Sequence, residues 1–139
     1  MRSVFVDSSA WVAFFSSSDG QHADAHAAFA RATRERRVLL TSSLVLAEVH
    51  RLFLYRTGIR AARAVLDRMT TSRDVRVEHA TGALHASAMT FLDRLLDQPI
   101  TYADAMSFAI MKAARCTAAL AFDRHFAMAG FAMWRGGRP

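Results

Sequence analysis

Ser3-Val4-Phe5-Val6-Asp7-Ser8-Ser9-Ala10-Trp11-Val12-Ala13-Phe14-Phe15 is the stretch on which the reading of this chain turns. Ser3–Val6 is a short apolar run of strand type. Asp7-Ser8-Ser9 then supplies helix-starting residues ahead of a second apolar run. Short strands followed by helices continue along the chain. Val38-Leu39-Leu40 is a second short strand, and Thr41-Ser42-Ser43 offers caps for a helix from Leu44 to Arg56 that ends before Gly58. Helices are also expected from about His22 to Arg36, Ile59 to Thr70, Thr81 to Leu96 and Tyr102 to Arg115. Strands are expected at Val75–Glu78, at Thr117–Phe122 and, on an edge, at Gly130–Trp134, with a helical turn after Asp123. Short strands alternating with helices predict an α/β sandwich with a mostly parallel sheet. The chain of 139 residues shows no internal boundary or repeat, so one domain, 1–139, is expected.

Composition narrows the class. Hydrophobic residues make up 53% and charged residues 22%, enough for a packed core and unlike a disordered chain. The apolar runs are too short to span a bilayer, so no membrane role is expected, and no signal-peptide pattern opens the sequence. A lone cysteine, Cys116, cannot form an intrachain disulfide, which suits a reducing cytoplasm. The net charge is +6, and seventeen of the eighteen basic residues are Arg, Lys112 being the exception. Such a surface suits a polyanion, because guanidinium pairs with phosphate in bidentate fashion. A coding bias toward Ala and Arg is the bland alternative.

In a parallel sheet, ligands bind beyond the carboxyl ends of the strands, and both Asp7 and Asp123 fall there. Each has an ordinary explanation as a helix cap, and Asp104 fits a capping box with Thr101. Glu48 is harder to explain that way. Leu44 and Leu52 flank it at helical spacing, so it should project from an apolar stripe, either toward Arg51 or into a cleft. Four acids from four elements converging on one edge would repel one another unless a divalent cation offset them. Oxygen ligands with no Cys and little His favour Mg²⁺ or Mn²⁺ over Zn²⁺. An acidic, metal-bearing cleft in a basic protein is suited to hydrolysing a nucleic acid.

Val6-Asp7-Ser8-Ser9-Ala10-Trp11, Leu46-Ala47-Glu48-Val49, Tyr102-Ala103-Asp104-Ala105-Met106-Ser107-Phe108-Ala109 and Ala121-Phe122-Asp123-Arg124-His125-Phe126 together resemble the motifs of PIN-domain ribonucleases, specifically VapC-type toxins of bacterial toxin–antitoxin pairs. The resemblance covers nearly the whole chain. It implies a PIN-like three-layer α/β/α sandwich and a metal-dependent endoribonuclease. Asp7, Glu48, Asp104 and Asp123 would hold one or two Mg²⁺ or Mn²⁺ ions. A metal-bound water would cut RNA to leave 5′-phosphate and 3′-hydroxyl ends. Ser8 and Ser9 would orient Asp7 or a water from behind. A homodimer and a silencing VapB-type antitoxin are implied as partners. One position departs: the family commonly carries Thr or Ser where this chain has Ala121, which predicts a modest loss of rate with the metal site intact.

Arg124 and His125 lie beside the expected site as candidate RNA contacts, with solvated loop residues as the alternative. His22 and His26 have helical Zn²⁺ spacing but lack an evident third ligand. Trp11, Phe14 and Phe15 read as core or interface. The basic run Arg31–Arg37 suits a helix end and solvent. A haloacid-dehalogenase-like phosphatase would need an acid where Ser9 stands, and a receiver domain fits no better. The alternative from another class is a PIN-like module that binds RNA or protein without cutting.

Overall fold

The computed structural model describes residues 2–137. Its elements run β1 (Ser3–Val6), α1 (Ser8–Phe15), α2 (His22–Arg34), β2 (Val38–Ser42), α3 (Ser43–Thr57), α4 (Ile59–Thr71), β3 (Val75–Glu78), α5 (Gly82–Arg94), α6 (Tyr102–Ala113), β4 (Ala118–Leu120), α7 (His125–Met128) and β5 (Ala132–Met133). The strands form one five-stranded sheet in the order β3-β2-β1-β4-β5. All its pairings are parallel, with Phe5 of β1 in register with Leu40 on one side and Ala119 on the other. Val4, Phe5 and Val6 are fully buried, as the unbroken apolar run of a central parallel strand requires.

The strand order decides where a site can form. The chain steps outward from β1 to β2 to β3, then returns past β1 to lay down β4 and β5. Right-handed crossovers therefore put α1–α4 on one face and α5–α7 on the other. Helix packing divides the same way: α1 lies on α2 and α3, and α3 on α4, whereas α6 lies on α5 and α7. The reversal between β1 and β4 opens a crevice at their carboxyl ends. The deepest helix is α6, buried continuously from Asp104 to Met111. Its Phe108 meets Phe126 edge-on at 5.0 Å, and Phe126 meets Phe5 of β1 at 5.8 Å. The Ser107 hydroxyl, buried there, donates to the Ala103 carbonyl at 2.9 Å.

Element ends depart from the sequence expectations for local reasons. Thr41 and Ser42 belong to β2, and Ser42 also caps α3 by accepting the Val45 amide at 3.2 Å. Thr81 caps α5 rather than lying within it, accepting the Leu84 amide at 3.2 Å. β4 stops at Leu120, short of Phe122, because the Phe122 amide turns away to donate to Ser9 Oγ at 3.1 Å. Gly58, at φ 94, lets α3 pass directly into α4. No helix among the described residues is long and apolar enough to cross a membrane.

Candidate active site

Asp7 leaves the end of β1, its amide donating to the Leu120 carbonyl of β4 at 3.0 Å, so it stands in the crevice between these strands. The helix-cap explanation fails for its side chain, which accepts no capping bond from α1. The carboxylate instead accepts the Ser9 hydroxyl at 3.4 Å. Ser9 Oγ also takes the Phe122 amide, so one serine ties the orientation of Asp7 to the exit of β4. Asp7 is only 5% exposed. Burial, then the charge of Asp123, push its carboxyl up from 3.8 to about 8, with Asp104 and Glu48 adding to the rise and a hydrogen bond from the Ser8 amide opposing it.

Asp104 does two things at once. It closes a capping box on α6, its amide donating to Thr101 Oγ1 at 3.1 Å and its carboxylate accepting the Thr101 amide at 3.4 Å. The same carboxylate oxygen lies 2.9 Å from His125 Nδ1. Asp123 accepts the His125 amide at 3.0 Å, a turn that also starts α7, so its capping explanation holds in part. Potential ligand atoms of Asp104, Asp123 and His125 all lie within 4.8 Å of one another. This is the tightest group, and Asp7 and Glu48 stand outside it while remaining within electrostatic reach.

Glu48 occupies the outer edge. The sequence left it to pair with Arg51 or to face a cleft; the residue is exposed, because Leu44 and Leu52 beside it are themselves only half-buried. Partial desolvation still raises its carboxyl, the Ser8 hydroxyl donating at 3.3 Å pulls it down, and Asp104 and Asp123 raise it further. Arg51, the cation considered for it, sits over the Tyr55 ring at 5.8 Å instead. Among the described residues, no arginine or lysine forms an ion pair with any of the four acids.

A buried carboxylate that keeps its proton near neutrality for want of positive charge is the condition a divalent cation relieves. Oxygen donors with one imidazole fit Mg²⁺ or Mn²⁺ chemistry. The sequence placed His125 beside this site but missed its bond to Asp104. Only the D-x-H spacing hinted that the ring could turn back toward the acids. Arg124 is exposed at the same rim.

Other sequence candidates serve elsewhere. His22 Nδ1 bonds the Ala13 carbonyl at 2.7 Å and His26 stacks on Phe14 at 4.5 Å, which accounts for that pair without zinc. Arg31 and Arg37, from the basic run, lie over the Trp134 ring at 3.8 and 5.1 Å. Trp11 is core, while Phe14 and Phe15 are half-buried against Phe29 and Trp11. These aromatics line a hollow of about 880 Å³, which opens by the amino ends of β2 and β3 beside Arg36, Arg37, Arg68 and Arg73. It holds none of the acids, but two buried donors on it, Trp11 Nε1 and Arg37 Nε, lack partners.

The PIN domain family model matches residues 4–132. The 23S rRNA-specific endonuclease VapC20 of Mycobacterium tuberculosis is 38% identical over 128 residues, covering 92% of this chain and 95% of the relative. The crystal structure of Mycobacterium tuberculosis VapC20, described as a sarcin–ricin loop cleaving toxin, superposes with a TM-score of 0.83 at 36% identity, over 96% of this chain and 99% of that one. FitAcB from Neisseria gonorrhoeae gives a TM-score of 0.69 at 12% identity, over 96% and 97% of the two chains, which is a likeness of fold.

Proposed function

This chain belongs to the PIN domain family, among its VapC-type members, and from that premise we propose that it is a single-domain, metal-dependent endoribonuclease, the toxin of a toxin–antitoxin pair. The observation that carries the reading is Asp7, buried between β1 and β4 with Asp104, Asp123 and Glu48 all within electrostatic reach.

Asp7, Asp104 and Asp123 would hold Mg²⁺ or Mn²⁺, with Glu48 at the outer edge and His125 beside them. A bound divalent cation supplies Lewis acidity toward the phosphoryl oxygen and acidifies water at neutral pH. The chain's own residues fix the acids. Ser9 aims Asp7, the Thr101 box and His125 hold Asp104 from two sides, the His125 amide holds Asp123, and Ser8 holds Glu48. Hydrolysis would leave 5′-phosphate and 3′-hydroxyl ends. Arg124 at the rim and the net charge of +6 would engage backbone phosphates.

A VapB-type antitoxin, a homodimer and a cytoplasmic setting complete the proposal. The aromatic hollow ringed by arginines has the chemistry to seat an amphipathic acidic segment of such a partner. A non-catalytic binding module would tolerate loss of one or more acids, and all four are present.

The test is 5′-end mapping of cellular RNA and of a synthetic sarcin–ricin loop hairpin after incubation with the protein and Mg²⁺, beside EDTA and Asp104→Asn controls. New ends at a few sites, absent from both controls, are expected. Ends that persist in the Asp104→Asn sample, or no ends in any RNA with either Mg²⁺ or Mn²⁺, would overturn the reading.

A further inference from the structure

We infer that Tyr102, held in place by His85, is a stacking platform for a base next to the scissile phosphate; the inference rests on the ribonuclease reading above. Tyr102 is the first residue of α6, between the cap Thr101 and the site acid Asp104. Its side chain is 41% exposed. Of the large apolar side chains exposed to this degree among the described residues, Tyr55, Ile59, Met89 and Leu96 lie in other helices or connections, and Tyr102 alone shares a helical turn with a candidate site acid.

An exposed tyrosine can satisfy its hydroxyl with water and move freely. This one does not. Its hydroxyl is 2.8 Å from His85 Nδ1 in a hydrogen bond, and the two rings lie 5.7 Å apart at 52°. His85 is in the first turn of α5, which follows β3, so the pair joins the amino ends of two helices on the edge of the sheet that carries the acids. The result is a flat aromatic face, open to solvent and already ordered, which is the feature that unpaired RNA bases stack on. Ordering before the ligand arrives removes part of the entropic cost of binding. Asp104 turns toward His125 on α7, whereas Tyr102 turns toward α5. The ring therefore flanks the acids, which suits a neighbouring base rather than the phosphate under attack.

The competing role is a brace between α5 and α6. The two are separated by single-site abasic substitutions in a hairpin whose cleavage point has been mapped. Tyr102→Ala is expected to raise KM on the intact hairpin roughly five- to hundredfold, the span that removal of one stacked aromatic produces, with kcat changed far less. One abasic position beside the cut should cost the wild type the same factor and cost Tyr102→Ala nothing more. Tyr102→Phe and His85→Ala, which keep a ring but free it, should fall between. Unchanged KM in Tyr102→Ala would overturn the inference while leaving the nuclease intact. So would a loss of melting temperature and rate that ignores the abasic position, which is the signature of a brace. A wild-type protein that neither binds nor cuts RNA would remove the ribonuclease reading and this inference together.

Discussion

At the scale of single residues, the candidate site is a set of carboxylates with which, among the described residues, no arginine or lysine forms an ion pair. Asp7 is the most constrained, being buried and raised to about 8. Asp7→Asn keeps the shape and the Ser9 hydrogen bond while removing the charge. Cleavage should fall below detection, and melting in EDTA at pH 8 should stay level or rise, by roughly 4 °C for each kcal/mol of repulsion relieved. A clear fall in melting temperature would mean that the carboxylate is structural after all. His125→Ala removes the partner of Asp104, and a group that orients a metal ligand typically accounts for about 10–100-fold in affinity or activity. The expected result is a rise of that size in the Mn²⁺ concentration needed for half-maximal cleavage. Ala121 offers a contrasting case. Ser9 already receives the Phe122 amide and aims Asp7, and Ala121 is fully buried. Ala121→Thr should therefore gain less than about twofold in single-turnover rate and lose about 1–3 kcal/mol of stability to overpacking. As candidates, Asp7 and Asp123 were legible because each follows an expected strand, Glu48 because it interrupts an apolar stripe, and Asp104 through the motif Tyr102–Ala109. The exposure of Glu48 and the turn of His125 toward Asp104 were not, because both depend on how two elements pack.

At the scale of elements, the alternation of short apolar strands with helices was enough to read nearly every segment. The errors sit at the ends, where a side chain decides between neighbours. Ser42 ends a strand and caps a helix in the same residue, and no periodicity separates those roles. β4 stops early because of a hydroxyl more than a hundred residues away, which no local pattern encodes. The two threonine caps allow a controlled comparison. Thr81 caps α5 and Thr101 caps α6, each accepting one backbone amide, at 3.2 and 3.1 Å. Thr81→Ala and Thr101→Ala should each cost about 1 kcal/mol. Only the Thr101 hydroxyl anchors the backbone of a candidate site acid, accepting the Asp104 amide, whereas the Thr101 amide on the Asp104 carboxylate survives the substitution. Activity per folded molecule should thus fall in Thr101→Ala and stay unchanged in Thr81→Ala. Equal activities would mean that the Thr101 amide and His125 suffice to position Asp104 without the hydroxyl.

For the whole molecule, the strand order β3-β2-β1-β4-β5 places the acids at the crevice between β1 and β4, and the cost of that placement should show as a dependence of stability on pH. Unfolded, Asp7 releases its proton near 3.8; folded without a cation, it keeps the proton until about 8. Between these values the native state binds more protons than the unfolded chain, so stability must decline as pH rises. Glu48, raised in the same direction, adds to the decline. Glu35 is shifted the other way by Arg31, and its stabilisation is lost only as pH drops below the ordinary 4.5, beneath the range from pH 5 to pH 8. A divalent cation reverses the trend because it binds the deprotonated acids, so its stabilisation grows as protons leave. Melting curves in EDTA should therefore fall from pH 5 to pH 8, and saturating Mn²⁺ should raise the midpoint by several degrees at pH 8 while doing little at pH 5. Asp7→Asn should flatten both responses. A midpoint in EDTA that climbs with pH would show that the acids are relieved by some group of the protein itself, and the case for a resident metal would lose its physical basis.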